Sequence, residues 1–204
     1  ANMMEPGSFP KDDMTTFATT GITAFMVLPG PGGVDDLARM IACCRRLASR
    51  LGGEVLDSLE AWGMDRTGVQ IDPEAPTGTV TVELDGGAPT FDIVGSQAYD
   101  RLDGEAARDA LGGLRPGLLY HGSLIARERA SDRALRTLRE KTGAPIFVDV
   151  NLRRPWWSVE NVSSLIRGAR WVKLNTDELR VLSDRSAAGA AGFELAAAEL
   201  ARRH

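Results

Sequence analysis

Three polar clusters carry the side chains in this sequence with chemistry to offer. His121-Gly122-Ser123, Asp149-Val150-Asn151-Leu152-Arg153 and Lys173-Leu174-Asn175-Thr176-Asp177-Glu178 each close a short apolar run. Arg153 presents a planar, permanently charged fork to a phosphate or carboxylate, and Lys173 a mobile point charge. Each cluster alone is equally well explained as a cap or turn, since Asn175 and Ser158 are good helix N-caps. Three in series at the carboxyl ends of apolar strands, where open α/β sheets collect ligands, point to a site.

The elements that would position them follow from the pattern. Residues 117–121, 145–150 and 171–174 are short and apolar on both faces. They alternate with helical patterns over 104–111, 131–142, 158–169, 176–183 and 190–203. Such alternation predicts a parallel sheet covered by helices on both sides, with right-handed crossovers. Residues 77–84 and 89–94 alternate about Asp85-Gly86-Gly87 and predict a β-hairpin. Further upstream, 21–28 predicts a strand ended by Pro29-Gly30-Pro31-Gly32-Gly33. Val34, Leu37, Met40, Ile41, Cys44, Leu47 and Leu51 recur at helical spacing and predict an amphipathic helix over 34–51, broken by Gly52-Gly53. A shorter helix is predicted over 54–62.

Composition narrows the function classes. The 204 residues are 43% hydrophobic and 25% charged, with a net charge of −4, which suits one domain or two small ones. The usual basic footprint of a nucleic-acid binder is missing, so no nucleic-acid partner is expected. No apolar run is long enough to span a bilayer, and no signal-peptide pattern opens the chain. Cys43 and Cys44, the two cysteines, are adjacent and poorly placed to bond each other, so reduced thiols and a cytoplasmic location are expected. The chain opens on Ala1 and ends on Arg202-Arg203-His204 within a helical pattern, which predicts an α/β unit interrupted on both sides.

Asp149-x-Asn151-x-Arg153 followed by Lys173-x-Asn175-x-x-Glu178 resembles the middle of PfkB-type carbohydrate kinases, the ribokinase superfamily. Gly-Met-Asp-Arg-Thr-Gly-Val-Gln over 63–70 fits the same family. Thr-Gly-Thr-Val-Thr-Val-Glu-Leu over 77–84 resembles its lid strands, and the bacterial fructokinase branch is the most similar. The resemblance spans 54–204. It implies an incomplete ribokinase-like parallel sheet with flanking helices and a β-hairpin lid (77–94), and ATP-dependent phosphorylation of a sugar hydroxyl, fructose-like in this branch. It also implies ATP and Mg²⁺ as cofactors. Asn175 and Glu178 would organise magnesium and the nucleotide phosphates through water, with Lys173 near phosphate and Asp149, Asn151 and Arg153 on the substrate or phosphate side. Lid strands can make homodimer contacts in that family, and the alternation here fits a lid equally well. The family's catalytic Asp lies in a Gly-Ala-Gly-Asp-like anion-hole motif. These 204 residues contain no such motif, so the expectation is a truncated kinase, inactive alone, with no catalytic residue assigned.

Residues 1–57 resemble something else. Ala1-Asn2-Met3-Met4-Glu5-Pro6-Gly7-Ser8-Phe9, Phe17-Ala18-Thr19-Thr20-Gly21-Ile22-Thr23-Ala24-Phe25-Met26 and Leu51-Gly52-Gly53-Glu54-Val55-Leu56-Asp57 resemble the second half of ZipA C-terminal domains. Such domains take the FtsZ tail peptide on an apolar sheet face. Met3 and Phe25 match groove positions, while Glu5 stands where a basic residue is common. The resemblance implies a β-α piece of an α+β domain over 1–53, ahead of the kinase-like 54–204. The two patterns meet at Gly53-Glu54-Val55-Leu56-Asp57, a stretch both families share, as a recombined or misassembled gene would produce. An FtsZ-binding cell-division module and a non-functional chimera are therefore the alternatives to the truncated kinase.

Overall fold

The structure is a computed structural model, and it describes residues 25–28, 39–45, 50–85, 88–183 and 189–204. In chain order the elements are β1 (Phe25–Leu28), β2 (Arg39–Arg45), α1 (Arg50–Ala61), β3 (Val69–Asp72), β4 (Val80–Asp85) and β5 (Ala88–Ile93). Then come α2 (Gly104–Leu111), β6 (Leu118–Gly122), α3 (Arg129–Thr142), β7 (Ile146–Asp149), α4 (Val159–Ile166), β8 (Trp171–Lys173), α5 (Thr176–Leu182) and α6 (Gly189–Arg203). Single 3-10 turns at Ala98–Asp100 and Leu124–Ala126 lead towards α2 and α3.

Six strands form one sheet in the order β3-β2-β1-β6-β7-β8. β6, β7 and β8 are parallel, with Gly122 opposite Asp149 and Asp149 opposite Lys173 at their carboxyl ends. This is the arrangement the alternating helices and strands predicted. β1 runs antiparallel to β6, pairing Met26 with Tyr120, and antiparallel to β2, while β2 and β3 are parallel. The first described strand therefore extends the sheet that carries the polar clusters. β4 and β5 pair as a separate two-stranded antiparallel hairpin, the predicted lid.

Three expectations are corrected. The helix expected over 34–51 is not formed at Arg39–Arg45, which is strand β2; residues 34–38 and 46–49 lie outside the described residues. Arg-Met-Ile-Ala-Cys-Cys-Arg is a short apolar run that serves a doubly paired strand as well as a helix face, and β1 and β3 supply partners on both edges. Gly52-Gly53 does not break the chain: α1 runs through it, with Val55 and Leu59 buried against Trp62, Met64 and Val69. That burial offsets the helix cost of two glycines. Strand β3 was not expected at all.

The helices read as expected elsewhere. Asp103 caps α2 by accepting from the N–H groups of Glu105 and Ala106, and Ser158 caps α4 by accepting from Asn161 N–H. Gly143 ends α3 in the left-handed region at φ 58°. One core gathers Leu102, Ala107, Leu111, Leu119, Leu135 and Leu138 between β6, α2 and α3. A second packs Val148, Val150, Val162, Ile166, Leu179 and Leu200 around β7, α4, α5 and α6. Ahead of β4, Gly78 passes so close to Tyr99 that a Cβ there would fall within the ring.

Candidate functional site

β7 and β8 deliver two of the three clusters to one place. Lys173 Nζ donates to Asp149 Oδ2 at 2.7 Å, and Val150 N–H donates to the Lys173 carbonyl at 3.0 Å. Tyr120, at the neighbouring end of β6, lies with its hydroxyl 3.3 Å from the same Asp149 oxygen. Burial, and then the Asp149 charge, push the Tyr120 phenol up to about 12, so it stays protonated and donates.

Beyond β7 the backbone turns sharply. Asn151 has φ 42°, a left-handed conformation that Asn tolerates better than most side chains. The turn aims the next amide at the third cluster: Leu152 N–H donates to Glu178 Oε1 at 2.8 Å. Asn175 caps α5, its Oδ1 accepting from Asp177 N–H at 3.0 Å and Glu178 N–H at 2.8 Å. Glu178 Oε2 accepts from Asn175 N–H at 2.8 Å, which completes a capping box. The cap and the site readings of Asn175 thus describe one arrangement, because the cap fixes the carboxylate.

That carboxylate is 7% exposed and is held by two neutral main-chain donors. No salt bridge reaches it among the described residues, so its charge is oriented without being neutralised, and each oxygen keeps a lone pair. Such a donor suits a hydrated hard cation. Asn175 Oδ1 accepts two hydrogen bonds and so helps to orient Glu178. Among the described residues no group of three or more His, Cys, Asp or Glu side chains is arranged around a metal position. The residues fit magnesium held through water on a nucleotide's phosphates, and do not form a direct metal cage.

Arg153 places its guanidinium carbon 5.1 Å from the centre of the Phe91 ring on the lid strand β5. It thereby links the Asp149–Arg153 loop to the hairpin. The first cluster is different. His121 is wholly buried, and burial lowers its pKa to about 4, so the imidazole is neutral. Its Nδ1 lies 3.0 Å from the Gly122 carbonyl oxygen, which selects the tautomer in which Nδ1 donates. His121 is a core residue, and Tyr120 is the side chain β6 contributes to the cluster at Asp149. Phe25 lies in β1 opposite Ile41, and Met3 lies outside the described residues.

Sequence reasoning missed a second assembly beside the lid. Arg127 donates from Nε and Nη2 to both oxygens of Asp100, each at 2.7 Å, and from Nη2 to the Val94 carbonyl at 2.7 Å and the Tyr99 hydroxyl at 2.8 Å. Its guanidinium is 4.8 Å from the Tyr99 ring and 4.7 Å from the Trp156 ring. Trp156 in turn donates its indole N–H to the Ile93 carbonyl at 3.1 Å. The base of the hairpin is fixed by residues from three separate segments. None carried a local signal, because the charge partners are 27 residues apart.

Two family models match the chain: the ZipA C-terminal FtsZ-binding domain over residues 1–66, and the pfkB family carbohydrate kinases over 46–202. Over 58 residues the chain is 45% identical to the cell division protein ZipA of Vibrio vulnificus strain YJ016 and 41% to that of Azotobacter vinelandii. That stretch is 28% of this chain, and it spans only 19% and 20% of those relatives. Among solved structures, an uncharacterized sugar kinase from Pyrococcus horikoshii in complex with ATP superposes with a TM-score of 0.63 at 23% identity. The match covers 71% of this chain and 49% of that one. A fructokinase from Vibrio cholerae O395 with fructose, ADP and calcium gives a TM-score of 0.65 at 19% identity, covering 88% of this chain and 66% of that one. A fructokinase from Xylella fastidiosa with bound ATP gives 0.65 at 16% identity, covering 88% and 63%. The fold is ribokinase-like, and the chain belongs to the pfkB family of carbohydrate kinases.

Proposed function

We propose that residues 54–204 carry the magnesium and phosphate side of an ATP-dependent sugar kinase, with a fructose-like sugar as the parent substrate. One observation carries this reading. Glu178, buried and without an ion pair among the described residues, is oriented by Asn175 N–H on one strand end and Leu152 N–H on the next. In this reading Glu178 orders the water shell of magnesium, Asn175 positions Glu178, and Arg153 and Lys173 supply positive charge to phosphate. Asp149 holds Lys173, and Asn151 supplies the turn. The magnesium, when bound, would neutralise charge on the transferring phosphoryl group. The 204 residues contain no Gly-Ala-Gly-Asp-like motif to supply a base, so the chain as it stands binds on this side and does not transfer.

Magnesium-dependent ATP turnover with fructose is the test. The expected result is no turnover, with Mg–ATP binding that weakens at least tenfold in Glu178→Gln. Stoichiometric turnover by the pure chain overturns the inactivity, and binding indifferent to Glu178→Gln overturns the site.

A second reading is favoured by the match of residues 1–66 to the FtsZ-binding domain. An FtsZ tail peptide would lie against Met3 and Phe25 within a unit bounded at residue 53. Saturable micromolar binding lost on Phe25→Ala supports it, and no binding dismisses it. A chain that binds neither the peptide nor nucleotide favours the third reading, a non-functional chimeric gene product. No helix among the described residues is long and apolar enough to cross a membrane.

A further inference from the structure

Arg153 keeps its charge at every working pH, and its N–H groups are unspent. No carboxylate pairs with it, and no acceptor takes its guanidinium N–H groups, among the described residues. Neighbouring cations differ. Lys173 is paired with Asp149 at 2.7 Å. Arg127 also lies over aromatic rings, but it spends Nε and Nη2 on Asp100, Val94 and Tyr99. What holds Arg153 is the Phe91 ring, 5.1 Å from its guanidinium carbon. A ring attracts a guanidinium through its quadrupole and uses up none of its hydrogen bonds. The fork is therefore held in place with its donors still to give.

The fold builds this contact. Trp156 N–H donates to the Arg153 carbonyl at 2.9 Å, closing a turn over residues 153–156. The indole N–H of the same Trp156 donates to the Ile93 carbonyl at 3.1 Å, two residues along β5 from Phe91. The next carbonyl is pinned as well: Val94 accepts from Arg127 Nη2 at 2.7 Å and from the Tyr99 hydroxyl at 2.9 Å. Arg153 and Phe91 thus each lie within three residues of a group that Trp156 holds, so little backbone freedom is left to lose when they meet. Phe91 is 39% exposed and belongs to none of the apolar cores.

We infer that Phe91 is a positioning residue for the phosphate side of the site: from the lid hairpin, its ring holds the Arg153 guanidinium for the phosphate oxygens of a nucleotide. This rests on the kinase reading proposed above and adds to it a dependence on the lid. Coupling of this kind is reciprocal. A hairpin that strengthens the grip on phosphate is itself held down by phosphate, by the same factor.

Calorimetric titration of Mg–ATP into the full chain tests it, with amide exchange of β4 and β5 read in parallel. Phe91→Leu keeps an apolar side chain and removes the ring. It is expected to weaken Mg–ATP binding about threefold, whereas Phe91→Tyr, which keeps the ring, leaves binding unchanged. Arg153→Gln weakens binding too, and Phe91→Leu adds nothing in that background. Saturating Mg–ATP slows hairpin exchange about threefold in the unaltered chain and not at all in Phe91→Leu. Binding indifferent to Phe91→Leu overturns the positioning role. So do a Phe91→Tyr variant as weak as Phe91→Leu, additive losses in the double variant, and hairpin exchange blind to Mg–ATP. Each of these leaves the site reading standing where Glu178→Gln still weakens binding. An unaltered chain that binds no Mg–ATP overturns the site reading and the positioning role together.

Discussion

Two buried carboxylates in this chain are held in opposite ways. Asp100, 4% exposed, is gripped on both oxygens by Arg127, so its charge is cancelled where it sits. Glu178, 7% exposed, is gripped on both oxygens by amide N–H groups, so its charge is oriented and left over. The first arrangement is a fastener: it ties the hairpin base to the body of the fold. The second leaves a field that something outside the chain can answer. Burial alone does not distinguish a structural acid from a site acid; the formal charge of the partner does.

The sharpest way to break the contrast is Arg127→Ala. It leaves Asp100 buried without its counter-charge and is expected to destabilise the fold by about 3–5 kcal/mol, read by chemical denaturation. A loss under about 1 kcal/mol would show that the fastener is not one. A buried group of a third kind, the neutral His121, gives the next largest effect. Its folded pKa of about 4 lies below the ordinary 6.5, so the unfolded chain takes up the proton first as pH falls. Stability is full above about pH 6.5 and drains towards pH 4, by up to about 3 kcal/mol. The portion of acid destabilisation that disappears in His121→Asn measures it, and an unchanged acid limb would refute the assignment.

Removing an uncompensated charge should be mild where removing a compensating one is severe. Glu178→Gln is expected to cost about 1–2 kcal/mol, because one main-chain donor loses its acceptor while no charge is stranded. Asn175→Ala should cost about 1 kcal/mol, the worth of a helix cap. Equal losses in Arg127→Ala and Glu178→Gln would erase the distinction drawn here. Smallest is Lys173→Ala. Its ammonium pairs with Asp149, but the side chain is 64% exposed, so a change within about 0.5 kcal/mol is expected in a melt.

Much of this architecture was legible because it is local. The capping pattern at Asn175 and Glu178, the Ser158 cap and the strand–helix alternation after residue 104 are written within four or fourteen residues of themselves, and the structure has them. The misreading of 39–45 has a physical root. Met40 to Cys44 is apolar throughout, so it satisfies a helix stripe and a buried strand equally, and partners distant in sequence decide between them. Strand β3, four residues with only Val69 and Ile71 as its apolar positions, is too short to announce itself. Its place comes from pairing with Ala42 to Arg45. The Arg127–Asp100 clamp was invisible for the same reason: nothing near either residue names the other. His121 was misread through its type. A histidine at a strand end suggests chemistry, whereas the alternation along Leu118–Gly122 places residue 121 on the same buried face as Leu119.

Gly78 sets a constraint of another kind. Since a Cβ there would enter the Tyr99 ring, and Tyr99 shares its hydroxyl with Arg127, substitutions along this line have an order. Any larger residue at 78 must follow the loss of the ring at 99, and that loss removes a partner of the arginine before it yields any gain. An evolving sequence therefore meets positions 78, 99 and 127 as a sequence of gates, passable in one direction and blocked in the other.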